Sequence, residues 1–519
     1  MHVCKKKTNF AAIFARAMKK HILKLWAVLF AAMLLQPAEV HSAPPTDGGR
    51  EPVRPHVRTG VSGRQQIGPA ARSVGQINIA PRGLLIMAEF SDNSFQPENP
   101  KKAIDSLANG SGYKYNGASG SIKEYFEAQS DGQYHPHFDV VGPVKLPQTI
   151  EWYGANRGDT QLDRYTADFV IDAVEAADKE GVDFSIYDND NDGVIDFVYI
   201  IYAGFGEADG GGASTIWPHN WDMMSNFYYG YSYQTKYYYK NESDYLLPEY
   251  DGKKLNDYAC SSELRKGGSR NGIGVICHEF SHVLGLPDYY LSSNNATMPL
   301  STTPGSWSLM GYGCYLDKSN TPCNLSVYDK YYLGWSVPTP LADTQNVVIP
   351  ADGKTFYAVT RDCQKPEADA QTEDTVYYIE NRQYTGWDKY LPGHGLIVWQ
   401  VVYDSKMWLD NTPNDFSTRY LLVTANGTAP YTSDTSGGTR EGVPFPGREN
   451  VTTLGLFNHK IEDISEQSDG VHLKFVAGKT HTALNGTTAP RQPEKRIENG
   501  RIVIDRGGKK FDITGREVR

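Results

Sequence analysis

Fifteen residues near the middle of the chain contain side chains that could bind a metal ion and activate water. The segment, residues 276–290, reads ICHEFSHVLGLPDYY. His278 and His282 are four residues apart, so on a helix they project from one face about one turn apart. Two imidazoles in this arrangement can bind one metal ion, and Glu279 beside them can act on a metal-bound water. This spacing predicts a metal site with Glu279 as general base and general acid.

The residues after the second histidine predict how a third ligand reaches the ion. A straight helix would carry position 288 about 15 Å along its axis from His278, too far to share a metal. Gly285 allows the chain to leave the helix through a left-handed conformation, and Pro287 prevents the helix from resuming. We therefore expect Asp288 to be the third ligand.

Imidazole and carboxylate ligands with one open position are typical of catalytic zinc. Such a site would lower the pKa of its bound water and polarise a carbonyl group. Glu279 would accept the proton of that water and return it to a leaving amine. The alternative is a helix in which the two histidines are incidental.

Beyond these residues, the extended motif HExxHxxGxxD resembles the metzincin zinc metalloproteases, and within them the immune-inhibitor-A family. The likeness continues over roughly residues 80–410, in LLIMAEFSD, SIKEYFEAQSDGQYHPHFDVVGPVKLP, SWSLMGYG, LSVYDKYYLGW and YYIENRQYTGWDKYLPGHGLIVWQV. The resemblance implies that Met310 is the methionine of a Met-turn beneath the zinc. It also implies that Tyr312 occupies the place of a zinc-proximal tyrosine that stabilises an oxyanion. A tyrosine on a surface loop is the alternative for Tyr312.

The bulk properties of the chain exclude some classes of function. The chain has 519 residues, a net charge of −10 and 39% hydrophobic residues. The length predicts two or three domains. The sequence has no block of basic residues, which argues against a nucleic-acid partner. Lys19-Lys20, an apolar run over 25–35 and a Ser42-Ala43 cleavage site predict a signal peptide over 1–43, with Met18 as an alternative start. We therefore expect a secreted, extracellular protein, retained at the cell surface or released, without a transmembrane segment and monomeric.

The predicted organisation is an α/β (α+β) metzincin-like catalytic domain followed by an all-β, sandwich-like domain. Residues 44–80 read as a linker or short propeptide, because they are rich in Pro, Gly, Arg and Ser. Alternating strands and helices over 81–340 indicate the α/β layers of the catalytic domain, and short strands separated by turns indicate the β-rich domain over 341–478. Residues 479–519 read as a linker and a tail, which is either a sorting segment or a terminal hairpin.

A second metal site is predicted in the segment DNDNDGVID. Asp188, Asp190, Asp192 and Asp196 surround a glycine turn, and hard oxygen ligands at this spacing fit the first part of a calcium loop. The closing glutamate of an EF-hand is absent, since Tyr199 stands at its position. The alternatives are a structural calcium ion and a solvated turn rich in Asp and Asn.

These features together favour a zinc-dependent metalloendopeptidase acting on proteins or peptides. Two other functions remain open from the sequence: an inactive, metal-stabilised adhesin, and a zinc amidase that cleaves non-peptide amides such as cell-wall crosslinks. Five cysteines follow the predicted signal peptide, an odd number that leaves at least one thiol without an intramolecular partner. Cys314 and Cys323 are close enough in sequence to form a disulfide, and buried free thiols are the alternative.

Overall fold

The structure is a computed structural model, and it describes the chain from residue 81 to residue 478 with several gaps. The described ranges are 81–157, 163–189, 191–228, 230–233, 246–291, 296–298, 303–369, 374–427 and 442–478, with the backbone of short strands at 41–42, 494–498, 501–506, 509–511 and 517–518. Apart from those strands, the predicted signal peptide, the predicted linker 44–80 and the tail lie outside the described residues. Asp190 also lies outside them.

The helices and strands alternate in the first half of the chain, and strands dominate the second half. The helices are α1 (Pro100–Asn109), α2 (Ile122–Gln129), α3 (Ile150–Gly154), α4 (Thr166–Lys179), α5 (Met223–Tyr228), α6 (Gly274–Val283), α7 (Val327–Tyr332) and α8 (Ser405–Leu409). The strands are β1 (His41–Ser42), β2 (Arg82–Glu89), β3 (His137–Lys145), β4 (Val198–Phe205), β5 (His219–Asp222), β6 (Glu249–Tyr250), β7 (Lys253–Lys254), β8 (Asp257–Leu264), β9 (Thr339–Pro340), β10 (Gln345–Ile349), β11 (Tyr357–Val359), β12 (Val376–Arg382), β13 (Gly395–Val401), β14 (Tyr420–Val423), β15 (Leu454–Leu456), β16 (His459–Gln467), β17 (Gly470–Val476), β18 (Glu494–Glu498), β19 (Arg501–Arg506), β20 (Lys509–Phe511) and β21 (Glu517–Val518). Among the described residues, no helix is both long and apolar enough to cross a bilayer.

A six-stranded sheet with the order β1-β5-β8-β4-β2-β3 organises the first half of the chain. Strands β3, β2, β4 and β8 run parallel, and β5 pairs with β8 in the antiparallel direction. Successive side chains of a strand point to opposite faces. On β4, Ile200 and Tyr202 pack with the buried face of α4, whereas Tyr199 and Ile201 pack in the same cluster as α6. Because both faces are covered, β4 is a nearly continuous apolar run.

Two further sheets follow, and they share a core. The five-stranded sheet has the order β14-β13-β12-β11-β9, and the four-stranded sheet has the order β10-β17-β16-β15. Val398 of β13 and Phe475 of β17 lie in one buried cluster between these sheets. The opposite face of the five-stranded sheet carries Trp399 and Tyr378, which belong to the cluster that contains Phe280 of α6. The five-stranded sheet is therefore buried on both faces, and it packs on the core that supports α6.

The mixed α/β fold predicted from the sequence is confirmed, since helices and several sheets are combined as expected. The capping box predicted at Ser121 is also present: its hydroxyl accepts the Glu124 N–H, and the Glu124 carboxylate accepts the Ser121 N–H. The separate all-β domain from residue 341 stays a prediction, because one hydrophobic cluster runs across that boundary. The tail strands β18–β21 form their own four-stranded antiparallel sheet.

The cysteines in the described part of the chain are free thiols, so the disulfide that the spacing of Cys314 and Cys323 allows is not formed there. Cys260, Cys277, Cys314 and Cys323 are buried, and Cys363 is half-buried. Burial raises the pKa of the Cys277 thiol well above its usual value, which favours the neutral, unreactive form. The alternative of buried packing thiols therefore describes the structure.

Candidate metal centre

Helix α6 is anchored in the hydrophobic core, and this packing positions its functional side chains. Phe280 lies on its buried face, with ring centroids 4.9 Å from Phe126 and 4.7 Å from Phe197. The first turn of α6 runs directly against the chain at Cys314: a Cβ on Gly274 would lie 1.9 Å from the Cys314 carbonyl oxygen. Only glycine allows this approach, which holds the start of the helix against the segment after Met310.

The two histidines of α6 are held in one tautomer by backbone carbonyls. The Nδ1 of His278 lies 2.9 Å from the Leu309 carbonyl oxygen, and the Nδ1 of His282 lies 2.8 Å from the Leu286 carbonyl oxygen. Each Nδ1–H therefore donates to a carbonyl, and each Nε2 presents a lone pair. Fixing the outer ring nitrogen in this way is what supporting contacts do in metal sites with histidine ligands.

The chain leaves α6 through the turn that the sequence predicts. Gly285 has a φ of +96°, in the left-handed region. The Gly285 N–H donates to the His282 carbonyl oxygen and the Leu286 N–H to the Ser281 carbonyl oxygen, which is the pattern of a Schellman motif. The turn reverses the chain and places Asp288 beside the two imidazoles.

Asp288 completes a compact set of three donor atoms. Its Oδ1 lies 3.1 Å from the Nε2 of His278 and 3.4 Å from the Nε2 of His282. Neighbouring ligand atoms of a tetrahedral zinc ion with bonds of about 2.0–2.1 Å are about 3.3–3.4 Å apart. Two neutral imidazoles and one carboxylate, at this spacing, are a donor set that zinc accepts. The residues present therefore fit the metal that the sequence predicts.

Charge and burial are unusual at this site. His278, Glu279 and Asp288 are each 0% exposed. One carboxylate oxygen of Glu279 and one nitrogen of each imidazole lie within 4.8 Å of one another. Burial raises the pKa of the Asp288 carboxyl, but when the His282 and His278 imidazoles are protonated, their charge and hydrogen bonds outweigh this effect and hold that pKa well below its usual range. Asp288 is therefore a carboxylate at neutral pH, as a metal ligand must be.

Met310 and Tyr312 occupy different places relative to the donor set. Met310 is buried, and its carbonyl oxygen accepts the Tyr289 N–H at 2.8 Å, so the Met310 segment contacts the residue next to Asp288. Tyr312 is half-buried, and its ring centroid is 6.4 Å from that of Tyr290. The Tyr290 ring is in turn stacked 6.3 Å from His278. Tyr312 is thus placed one aromatic ring away from the histidine, and its role in catalysis stays a prediction.

Sequence reasoning missed Asn411, which lies far along the chain from the motif. The Asn411 Nδ2 donates to the Asp288 Oδ2 at 2.6 Å, and its Oδ1 accepts the Asp288 backbone N–H at 2.5 Å. The segment LDNTPND around Asn411 carries turn-forming residues and no motif. No signal in the sequence connects it to a site 123 residues away.

The predicted calcium loop forms a turn around Gly193. Asp188 accepts the backbone N–H groups of Asp192 and Gly193, and its Oδ2 lies 2.6 Å from the Lys253 ammonium. The side chain of Asp192 accepts the Val194 N–H and that of Asp196 accepts the Asn189 N–H. These contacts are those of the turn rich in Asp and Asn, and calcium binding stays a prediction.

The glycine-rich segment before Thr215 is anchored by a buried acid. Asp209 is 6% exposed, and its Oδ2 accepts from the Ser262 hydroxyl at 2.6 Å and from the Asn271 amide at 3.2 Å. Burial raises the pKa of Asp209 to about 6, with the Ser262 and Asn271 hydrogen bonds acting in the opposite direction. His219 is buried on β5, with its ring nitrogens on the Trp217 carbonyl oxygen and the Tyr258 hydroxyl. It is a packing histidine apart from the donor set.

Comparison with known proteins connects this geometry to a family. Residues 89–338 match the family described as immune inhibitor A peptidase M6, catalytic domain. The chain is 29% identical over 235 residues to immune inhibitor A of Bacillus thuringiensis subsp. alesti, a match that covers 41% of this chain and 31% of that protein. It is 25% identical over 273 residues to the pre-pro-metalloprotease PrtV of Vibrio cholerae serotype O1, covering 48% of this chain and 28% of that protein.

The matched part spans less than a third of the length of those two relatives. The match over 89–338 contains α6, its turn and the Met310 segment, and it ends before Asn411. The resemblance indicated by the sequence motifs is confirmed: residues 89–338 of the chain match the catalytic domain of the immune inhibitor A peptidase M6 family.

Proposed function

We propose that this chain is a secreted zinc-dependent metalloendopeptidase that hydrolyses peptide bonds in proteins. The observation that carries the proposal is the donor set on α6 and its turn: the Nε2 atoms of His278 and His282 lie 3.1 and 3.4 Å from the Asp288 Oδ1, with Glu279 adjacent. The family of residues 89–338 and the metalloprotease name of one relative support the same reaction class.

His278, His282 and Asp288 would hold the zinc ion; the two imidazoles are held by backbone carbonyls, and the Asp288 carboxylate is held by the Asn411 amide. Zinc supplies a Lewis acid that polarises the substrate carbonyl and acidifies the attacking water. The Glu279 carboxylate takes the proton from that water and later delivers it to the nitrogen of the leaving amine. Glu279 is fully buried on α6, with one carboxylate oxygen within 4.8 Å of one nitrogen of each imidazole, and this proximity supports the role proposed for it.

Protein or peptide chains are the proposed substrates, because the matching family is described as a peptidase and one relative is named a metalloprotease. Export is proposed from the amino-terminal segment of the sequence, and calcium remains a proposed structural ion at Asp188, Asp190, Asp192 and Asp196. Tyr312 is proposed to stabilise the oxyanion if its side chain turns from Tyr290 toward the substrate.

The test compares wild type with Glu279→Gln on casein and on a peptide library, with cut sites mapped. A general base contributes about 10²–10⁴-fold to the rate, so the variant should lose at least that factor in kcat/KM while it keeps stoichiometric zinc. Glu263→Gln is the matched control, because Glu263 is also a buried glutamate but its oxygens bond the Gln96 and Gly204 N–H groups. Equal cutting by wild type and Glu279→Gln, or cutting that resists a chelator, would show that the proposed mechanism is wrong.

A further inference from the structure

Asn411 contacts Asp288 with both ends of its side-chain amide. The Nδ2 donates to the Asp288 Oδ2 at 2.6 Å, and the Oδ1 accepts the Asp288 backbone N–H at 2.5 Å. Such a two-point contact fixes the position of the Asp288 backbone and the rotation of its carboxylate at the same time. Since Oδ2 is taken by Asn411, Oδ1 is the oxygen left facing His278 and His282.

Asn411 follows a short helix that is held by its cap and by a buried tryptophan. This helix is α8, whose Asp404 cap accepts the N–H groups of Lys406 and Met407, and Trp408 of that helix is 3% exposed. Asn411 is 1% exposed and has a φ of +56°, a left-handed conformation that asparagine tolerates better than most residues. An asparagine at this turn therefore adopts the left-handed backbone while its amide contacts Asp288.

The same segment also holds the residue after Asp288. The Asn414 Nδ2 donates to the Tyr289 carbonyl oxygen at 2.9 Å, and the Tyr289 ring is stacked on Tyr420 of β14, with centroids 3.6 Å apart and planes 3° apart. Neither Asn411 nor Tyr420 lies within residues 89–338. The position of the third ligand is thus held by the five-stranded sheet and its α8 connection, outside the matched region, in addition to the turn at Gly285 and the Met310 segment within it.

We propose that Asn411 is the positioning residue of the metal centre, which orients Asp288 as a ligand through one oxygen and makes the site dependent on the segment beyond residue 338. This inference rests on the proposed metal binding by His278, His282 and Asp288. Supporting residues of this kind change metal affinity by about 10–100-fold when they are removed. Removing such a residue changes the metal affinity as well as the stability of the fold, and these two quantities can be measured separately.

The experiment uses the full chain with Asn411→Gly, which keeps the left-handed backbone and removes only the amide. Zn²⁺ affinity is measured by competition with a chromophoric chelator, and the Co²⁺-loaded protein is characterised by its visible absorption spectrum. We expect Asn411→Gly to bind Zn²⁺ about 10–100-fold more weakly and to shift the Co²⁺ spectrum. Asn381→Ala is the matched control, because Asn381 is a buried asparagine of β12 whose amide bonds the Ile349 carbonyl oxygen, and we expect its affinity to stay within about twofold of wild type.

Unfolding of the metal-free proteins by denaturant identifies a variant that fails to fold. Asn411→Asp then serves as the second variant, since it keeps the acceptor for the Asp288 N–H but replaces the donor to Oδ2 with a carboxylate that repels it. Folded variants with unchanged Zn²⁺ affinity and an unchanged Co²⁺ spectrum would overturn the role of Asn411. A wild-type protein that binds no Zn²⁺ would instead overturn the proposed metal site, so the two failures are distinguishable.

Discussion

Exchanging the side chains of Asp288 and Asn411 should restore part of the metal affinity that replacing Asp288 alone removes. Asp288→Asn replaces the carboxylate with an amide that has one oxygen and one NH₂. In wild type, the Asn411 donor lies 2.6 Å from one carboxylate oxygen, and the His278 and His282 Nε2 atoms lie 3.1 and 3.4 Å from the other. If the oxygen faces Asn411, the NH₂ faces the metal position and has no lone pair to offer. If the amide is reversed, two NH₂ groups meet without an acceptor. The loss should therefore exceed the 10–100-fold typical of a supporting residue.

Adding Asn411→Asp to this variant removes the conflict. The carboxylate introduced at position 411 can accept both the backbone N–H and the new amide NH₂ of position 288, which turns the amide oxygen toward His278 and His282. Contacting residues of this kind have interaction energies of about 0.5–3 kcal/mol. The double variant should accordingly bind Zn²⁺ about 2- to 150-fold more tightly than Asp288→Asn.

The assay is a Zn²⁺ competition titration of wild type, both single variants and the double variant at one pH, with denaturant unfolding of each metal-free form. Independent effects would make the double variant weaker than either single variant, because the two losses would add. A double variant that binds no more tightly than Asp288→Asn would therefore refute the argument that these two side chains act as a unit.

Three other predictions follow from the described contacts. Gly285→Ala should lower the free energy of unfolding by about 1–2 kcal/mol and weaken Zn²⁺ binding, because a residue with a Cβ disfavours the φ of +96° at this position. The added Cβ meets no steric clash, since the nearest atom, on Tyr332, is 3.9 Å away. Denaturant unfolding and the Zn²⁺ titration test this prediction. Burial raises the pKa of Asp209 from 3.8 to about 6, so its contribution to stability is complete below pH 3.8 and is lost as the pH rises through 6. The free energy of unfolding of wild type should fall relative to Asp209→Asn by about 3 kcal/mol across that window in chelator-treated protein, and parallel pH profiles would contradict this. Finally, removing Zn²⁺ held at about 1,000 times its Kd should lower the free energy of unfolding by about 4 kcal/mol, while His278→Asn should show no such dependence on added Zn²⁺.

Local signals in the sequence were sufficient for the parts of the fold that depend on neighbouring residues. The capping box at Ser121, the buried strand β4 and the left-handed turn at Gly285 are each determined within a few residues, and the structure contains all three. The donor set is predictable for the same reason. His278 and His282 share a helix face, and the turn that delivers Asp288 begins within one helical turn of His282.

Features that depend on distant segments could not be predicted in this way. The two-sided burial of the five-stranded sheet follows from its packing on α6, which no periodicity in β12 or β13 reveals. The role of Asn411 could not be predicted either. Asparagine is common in turns, and only the folded structure shows that this one contacts Asp288. The prediction that Cys314 and Cys323 could pair rested on spacing alone. In the structure both are buried as thiols.

The bond between Asp288 and Asn411 joins positions 123 residues apart, so it exists only where the segment after α8 is packed beside the turn after α6. Both imidazoles have their carbonyl partners once α6, its turn and the segment up to Leu309 are in place, since those partners lie at 286 and 309. The aspartate is held only after β12–β14 have docked. A state of the chain with α6 and its turn formed but the five-stranded sheet undocked would keep the carbonyl partners of both imidazoles and lack the Asn411 contact to Asp288.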